Sequence, residues 1–155
     1  RAVSYAIRAR AYAVLGDRVQ ALSDADRGVT DAPKEVLTWL NRADVRRMLG
    51  DRAGALDDCM RAIEVDGTNP YGYLIAAELY DELGEQDKAT AYFAKLYEIE
   101  PKAVSRIPDE YLEAVDKRSY DRRMKEKGKE RAEREKALKE KLDKKAHPAE
   151  DTAKH

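Results

Sequence analysis

Cysteine is all but missing from this sequence: Cys59 stands alone among 155 residues, which excludes an internal disulfide. With Leu56 and Ile63 at helical spacing beside it, Cys59 reads as a small buried apolar residue. Histidine is nearly as scarce, and both copies, His147 and His155, fall in the tail. That placement excludes a Ser-His-Asp set and any histidine-based metal cluster, and no glycine-rich loop suited to phosphate is present. The adjacent carboxylates Asp57 and Asp58 read as diverging side chains on the outer face of a helix. The expectation is a chain that is not an enzyme and takes no cofactor and no metal. Long apolar runs are also absent, and none approaches the roughly 20 residues that a bilayer requires. Aromatic residues make up only 7% against 39% charged, which is thin for one compact globule and points to an elongated fold.

The net charge of −1 is an average over two different regions. Residues 1–101 carry 13 Lys/Arg against 18 Asp/Glu, whereas 117–146 carry 14 against 7, a net of +7. Arg1 already lies in an apolar pattern with Val3, Ile7 and Ala11, so the sequence reads as a piece of a longer chain. Its localisation is left open.

What the sequence has in abundance is periodicity. "VLGDRVQALSDA" (14–25), "MLGDRAGALDDC" (48–59) and "ELGEQDKATAYF" (82–93) place Gly16, Gly50 and Gly84 at a constant step of 34 residues. Ala21, Ala55 and Ala89 keep that step, as do Ala9, Ala43 and Ala77. Such a period signals a solenoid, whose units bury their apolar faces against one another. Within each unit the apolar residues follow helical spacing on both sides of the glycine, which predicts two helices per repeat joined by a tight turn. Glycine supplies a left-handed or tight backbone conformation for that turn at little cost, and Asp17, Asp51 or Glu85 is placed to cap or complement the positive start of the next helix. The alanines let paired helices approach while Tyr5, Trp39 and Tyr73 fill the space beside them.

These residues resemble the tetratricopeptide repeat, whose pattern runs Trp-x2-Leu-Gly-x2-Tyr, Ala-x3-Phe, Pro. The third copy is most similar, with Tyr73, Ala76, Ala77, Tyr80, Ala89, Phe93 and Pro101. The second keeps Trp39, Ala43, Ala55 and Ala62 but has Arg42 and Arg46 where Leu and Tyr are usual, and Gly67 replaces the closing Pro. The first keeps Tyr5, Ala9, Tyr12, Ala21 and Pro33, with Gly28 in place of a packing Ala. The resemblance implies an all-α fold, a right-handed α-solenoid of antiparallel helix pairs with a charged helix after it. Three repeats are expected over 1–101 (about 1–35, 36–69 and 70–103), then a capping helix over 104–118 and a charged helix over 119–146. A disordered tail is expected over 147–155. The segment 109–124 reads as one helix with Tyr111, Leu112, Val115 and Tyr120 on a face.

The resemblance also implies a concave groove lined by the first helix of each repeat. Its residues would be Val3, Ala6, Arg10 and Ala13; Leu37, Leu40, Asn41, Asp44, Arg47 and Met48; and Tyr71, Leu74, Ile75, Glu78, Asp81 and Glu82. The candidate peptide-contacting set is Arg10, Leu37, Leu40, Asn41, Asp44, Arg47, Tyr71, Leu74 and Glu78. Chaperone-binding members of the family grip a terminal carboxylate with Lys and Asn, then Asn, then Lys and Arg. Here Ala6, Arg10, Asn41, Tyr71 and Ile75 occupy those positions, so only Asn41 matches. The implied function is a protein-interaction scaffold whose ligand is a mixed-charge or amphipathic peptide. Two alternatives are attachment of 117–146 to RNA or an anionic membrane surface, and self-association into a homo-oligomer through exposed repeat ends.

Overall fold

The computed structural model describes residues 2–148, with side-chain surroundings given from Ser4 onward. Val3 therefore lies outside the residues whose side chains are described, and so does most of the expected tail, His155 included. Among the described residues eight α-helices follow one another: α1 (Ala2–Val14), α2 (Arg18–Asp31), α3 (Val36–Met48), α4 (Arg52–Val65), α5 (Pro70–Glu82), α6 (Gln86–Ile99), α7 (Asp109–Val115) and α8 (Lys117–Ala146). A 3-10 helix, Pro101–Arg106, lies between α6 and α7. No strand occurs among the described residues. Two compact units divide at residue 116.

The first unit is a solenoid of antiparallel helix pairs, α1 with α2, α3 with α4 and α5 with α6, each stacked on the next. The turns follow from the repeated glycine. Gly16, Gly50 and Gly84 have φ of 79°, 84° and 75°, a conformation that only glycine adopts without strain. Each helix end is closed in the same way. In the first turn the Gly16 N–H donates to the Ala13 carbonyl at 3.1 Å and the Asp17 N–H to the Tyr12 carbonyl at 2.9 Å, and the other turns repeat both bonds. Asp17 and Asp51 then cap the following helix, accepting from the Gln20 and Gly54 N–H groups. Glu85 makes no such cap bond and pairs with Lys88 instead.

Six alanines, Ala9, Ala43, Ala77, Ala21, Ala55 and Ala89, are completely buried where the helices of a pair meet. The three aromatics beside them are half-buried, and two reach back to the preceding turn: the Trp39 indole donates to the Pro33 carbonyl at 2.8 Å and the Tyr73 hydroxyl to that of Gly67 at 3.2 Å. Behind the third pair, α7 lies on α6, burying Tyr111 and Leu112, and the Tyr111 ring sits 5.0 Å from that of Phe93.

Segment 109–124 departs from the one-helix expectation. It breaks at Asp116, whose φ of −151° and ψ of 90° are extended, and α8 starts afresh at Lys117. The connector between Pro101 and Pro108 is likewise ordered as the 3-10 helix. In the second unit, α8 runs for 30 residues straight through Gly128 with no buried residue. Leu138 and Leu142 are exposed on it, and Arg131 pairs with Glu135 across one turn at 3.0 Å.

Candidate functional site

The register of the repeats sets which residues share a surface. A step of 34 carries the same face of the first helix from α1 to α3 to α5, so residues distant in sequence come together on one side of the stack. All nine candidate residues line a single cavity of about 340 Å³: Arg10, Leu37, Leu40, Asn41, Asp44, Arg47, Tyr71, Leu74 and Glu78, joined by Ile75 and Arg106. Leu40 and Leu74 form its buried floor, while Leu37 at 59% and Tyr71 at 53% relative exposure stand in solvent. Exposed apolar side chains held in a concavity lower the free energy of a partner that covers them.

Other groove positions lie elsewhere. Ala6, Ala13, Met48, Asp81 and Glu82 do not line the cavity. Asp81 is engaged from outside the repeats, accepting a hydrogen bond from the Tyr111 hydroxyl of α7. Burial, with that bond to a carboxylate, pushes the Tyr111 phenol up to about 12.

The charges in the groove are paired with one another. Arg10 meets Asp44 at 3.3 Å. Arg47 donates to Glu78 at 2.6 Å and also to Glu82, which Arg52 joins at 3.0 Å. Burial alone would raise the Glu82 pKa, yet the bonds from Arg47 and Arg52 outweigh it and hold Glu82 below its usual range. Arg10 and Arg47 are thus already neutralised. Arg106 differs: its guanidinium has no hydrogen-bond or ion-pair partner among the described residues. Sequence reasoning missed it because it lies in the 3-10 helix beyond the third repeat. Its signal was a cation between Pro101 and Pro108, next to the buried Ile107.

A second cluster corrects the reading of the Asp57-Asp58 doublet. Only Asp57 is exposed; Asp58 turns inward and keeps 1% of its surface. Arg42 grips its carboxylate at 2.7 Å and Arg46 at 2.9 Å, while Arg42 also reaches Asp26 of α2 at 3.0 Å. The two arginines that depart from the family pattern therefore tie α3 to α4, and Arg42 ties the second repeat to the first. One period earlier Arg8 grips Asp24 at 2.5 Å and 2.7 Å. The hydrogen bonds from Arg8 hold the Asp24 carboxyl below its usual range. The common spacing of 16 residues within both pairs was the sequence signal for this cluster.

Cys59, next to Asp58, is fully buried. Burial, aided by the negative charge of Asp58, pushes its thiol up to about 12, a poor nucleophile. Among the described residues no group of three or more His, Cys, Asp or Glu side chains is placed to hold a metal ion. No helix among them is long and apolar enough to cross a membrane.

A sequence profile described as the tetratricopeptide repeat matches residues 71–103. Most of the chain superposes on solved arrays of that repeat. The repeat pairs therefore have the tetratricopeptide fold, and the third of them matches that repeat in sequence. The first such domain of Spaghetti (RPAP3), bound to the HSP90 peptide SRMEEVD, is 18% identical with a TM-score of 0.60, covering 80% of this chain and 93% of that one. The TPR2B domain of yeast Sti1, in a complex with pHsp70, is 20% identical at a TM-score of 0.62, with coverage of 76% and 97%. MamA is 20% identical at 0.63, with coverage of 86% and 81%. Identities this low carry the tetratricopeptide fold alone. No curated protein matches the chain in sequence.

Proposed function

We propose that the tetratricopeptide array is a non-catalytic interaction scaffold and that it receives an extended or helical peptide of a partner protein in the α1/α3/α5 groove. The observation that supports this reading most is the cavity itself, lined from three successive repeats, with Leu37 and Tyr71 left exposed beside a buried floor of Leu40 and Leu74. A peptide covering the two exposed side chains would recover their hydrophobic free energy, and an aromatic such as Tyr71 is the residue type that dominates peptide anchoring. Among proteins of similar fold, the first such domain of RPAP3 is bound to the HSP90 peptide SRMEEVD and the TPR2B domain of Sti1 is in a complex with pHsp70. In this chain Tyr71 and Ile75 stand where that grip uses Lys and Arg, and Arg10 is paired with Asp44. A chaperone's acidic tail is therefore the weaker ligand, and a peptide led by apolar side chains the better one.

The test is affinity capture from lysate by the full chain beside a Leu37→Ser/Tyr71→Ala variant, with bound proteins read by mass spectrometry. Both substituted side chains are exposed, so the variant keeps its core and its circular dichroism. Proteins retained by the parent and lost with the variant are the expected result. An identical set of proteins on both would remove the groove from the function.

A further inference from the structure

The pairing pattern inside the groove narrows the ligand, and this step rests on the peptide-groove reading above. Every cation contributed to the cavity by the repeats is spoken for: Arg10 by Asp44, and Arg47 by Glu78 and Glu82. The acids are satisfied by those same contacts, so a basic ligand would have to break an existing pair to gain a new one. Arg106, from the 3-10 helix, is the lining cation left without a partner among the described residues. It shares the cavity with Leu37 and Tyr71.

We infer that Arg106 is a specificity-determining residue of the groove, binding one carboxylate of a peptide whose neighbouring apolar side chain covers Leu37 and Tyr71. A guanidinium matches a carboxylate with two parallel N–H donors, so the contact selects an acid and fixes the peptide's register. Because Arg106 is exposed, the pair adds little affinity and acts chiefly on choice of ligand and on encounter rate. Affinity comes from the apolar contacts. An acid replaced by its amide in the peptide should thus weaken binding only a few-fold at moderate salt.

The experiment is selection from a random 12-residue peptide library displayed on phage, using the full chain and its Arg106→Glu, Arg106→Lys and Tyr71→Ala variants. The parent should enrich peptides with Asp or Glu beside an apolar residue, and Arg106→Lys should keep that preference. Arg106→Glu should exchange the acid for Lys or Arg at the same position while the apolar residue persists. An acid preference that survives Arg106→Glu unchanged, among peptides that Tyr71→Ala loses, would overturn the role of Arg106 and leave the groove standing. Enrichment that Tyr71→Ala does not disturb, or no enrichment on the parent chain, would overturn the groove and this inference together.

Discussion

Asp58 and Asp57 are neighbours in sequence with opposite roles, because a helix turns about 100° per residue, which carries Asp57 to the solvent side while Asp58 faces inward. Asp58 is charged, nearly inaccessible and held by Arg42 and Arg46. Removing one member of a buried ion cluster leaves the rest desolvated without compensation, which costs about 3 kcal/mol. Asp58→Ala should therefore lower the urea-unfolding free energy by about that amount, and Asp57→Ala should leave it within about 0.5 kcal/mol. Equal effects from the two would mean that the arginine cluster adds no stability. Arg42 and Arg46, read from the sequence as losses from the repeat pattern, act as replacements for its apolar contacts.

At the scale of elements, two helical glycines make opposite demands. A Cβ added at Gly28, inside α2, would meet nothing within 4 Å, and the family pattern has a packing Ala there. A Cβ at Gly72, in α5, would come within 2.9 Å of Ile63 Cγ1 on α4. Gly28→Ala removes unfolded-state freedom without a clash and should stabilise the chain by about 0.5–1 kcal/mol. Gly72→Ala forces α4 and α5 apart and should destabilise it by about 1–2 kcal/mol. Thermal unfolding of the two variants beside the parent measures both signs; a gain at Gly72 would show that the α4–α5 contact yields at no cost.

For the whole molecule, the depressed carboxylates set the response to acid. The folded pKa of Asp24 lies below its ordinary value of 3.8 because of Arg8, and that of Glu82 lies below 4.5 because Arg47 and Arg52 outweigh burial. The unfolded chain then takes up protons first as pH falls, so the stabilisation is complete above the ordinary values and is lost on acidification through the folded ones. Asp24 belongs to the first repeat and Glu82 to the third, so the loss is spread along the array. The urea midpoint should hold from pH 7 to about 5.5 and decline below about 4.5. Asp24→Asn should be less stable than the parent at pH 7, with the gap narrowing at pH 3. A gap that widened at low pH would reverse the sign assigned to Asp24.

The sequence by itself determined the helix pairs and their turns, because both depend on local periodicity, while the groove positions came from the resemblance to the repeat family. A glycine at every turn, alanines at every close approach and a constant step of 34 leave one way to stack the units, and that stacking brings Arg10, Leu37 and Tyr71 to one surface. Only the tertiary structure decided how the charges combine. Whether Arg47 faces a ligand or Glu78, and whether Asp58 faces water or Arg42, depends on how far long side chains reach across a helix interface, and composition carries no record of that reach. The same holds for Arg106, which reaches the cavity only because the chain after Pro101 folds back as a 3-10 helix against α6.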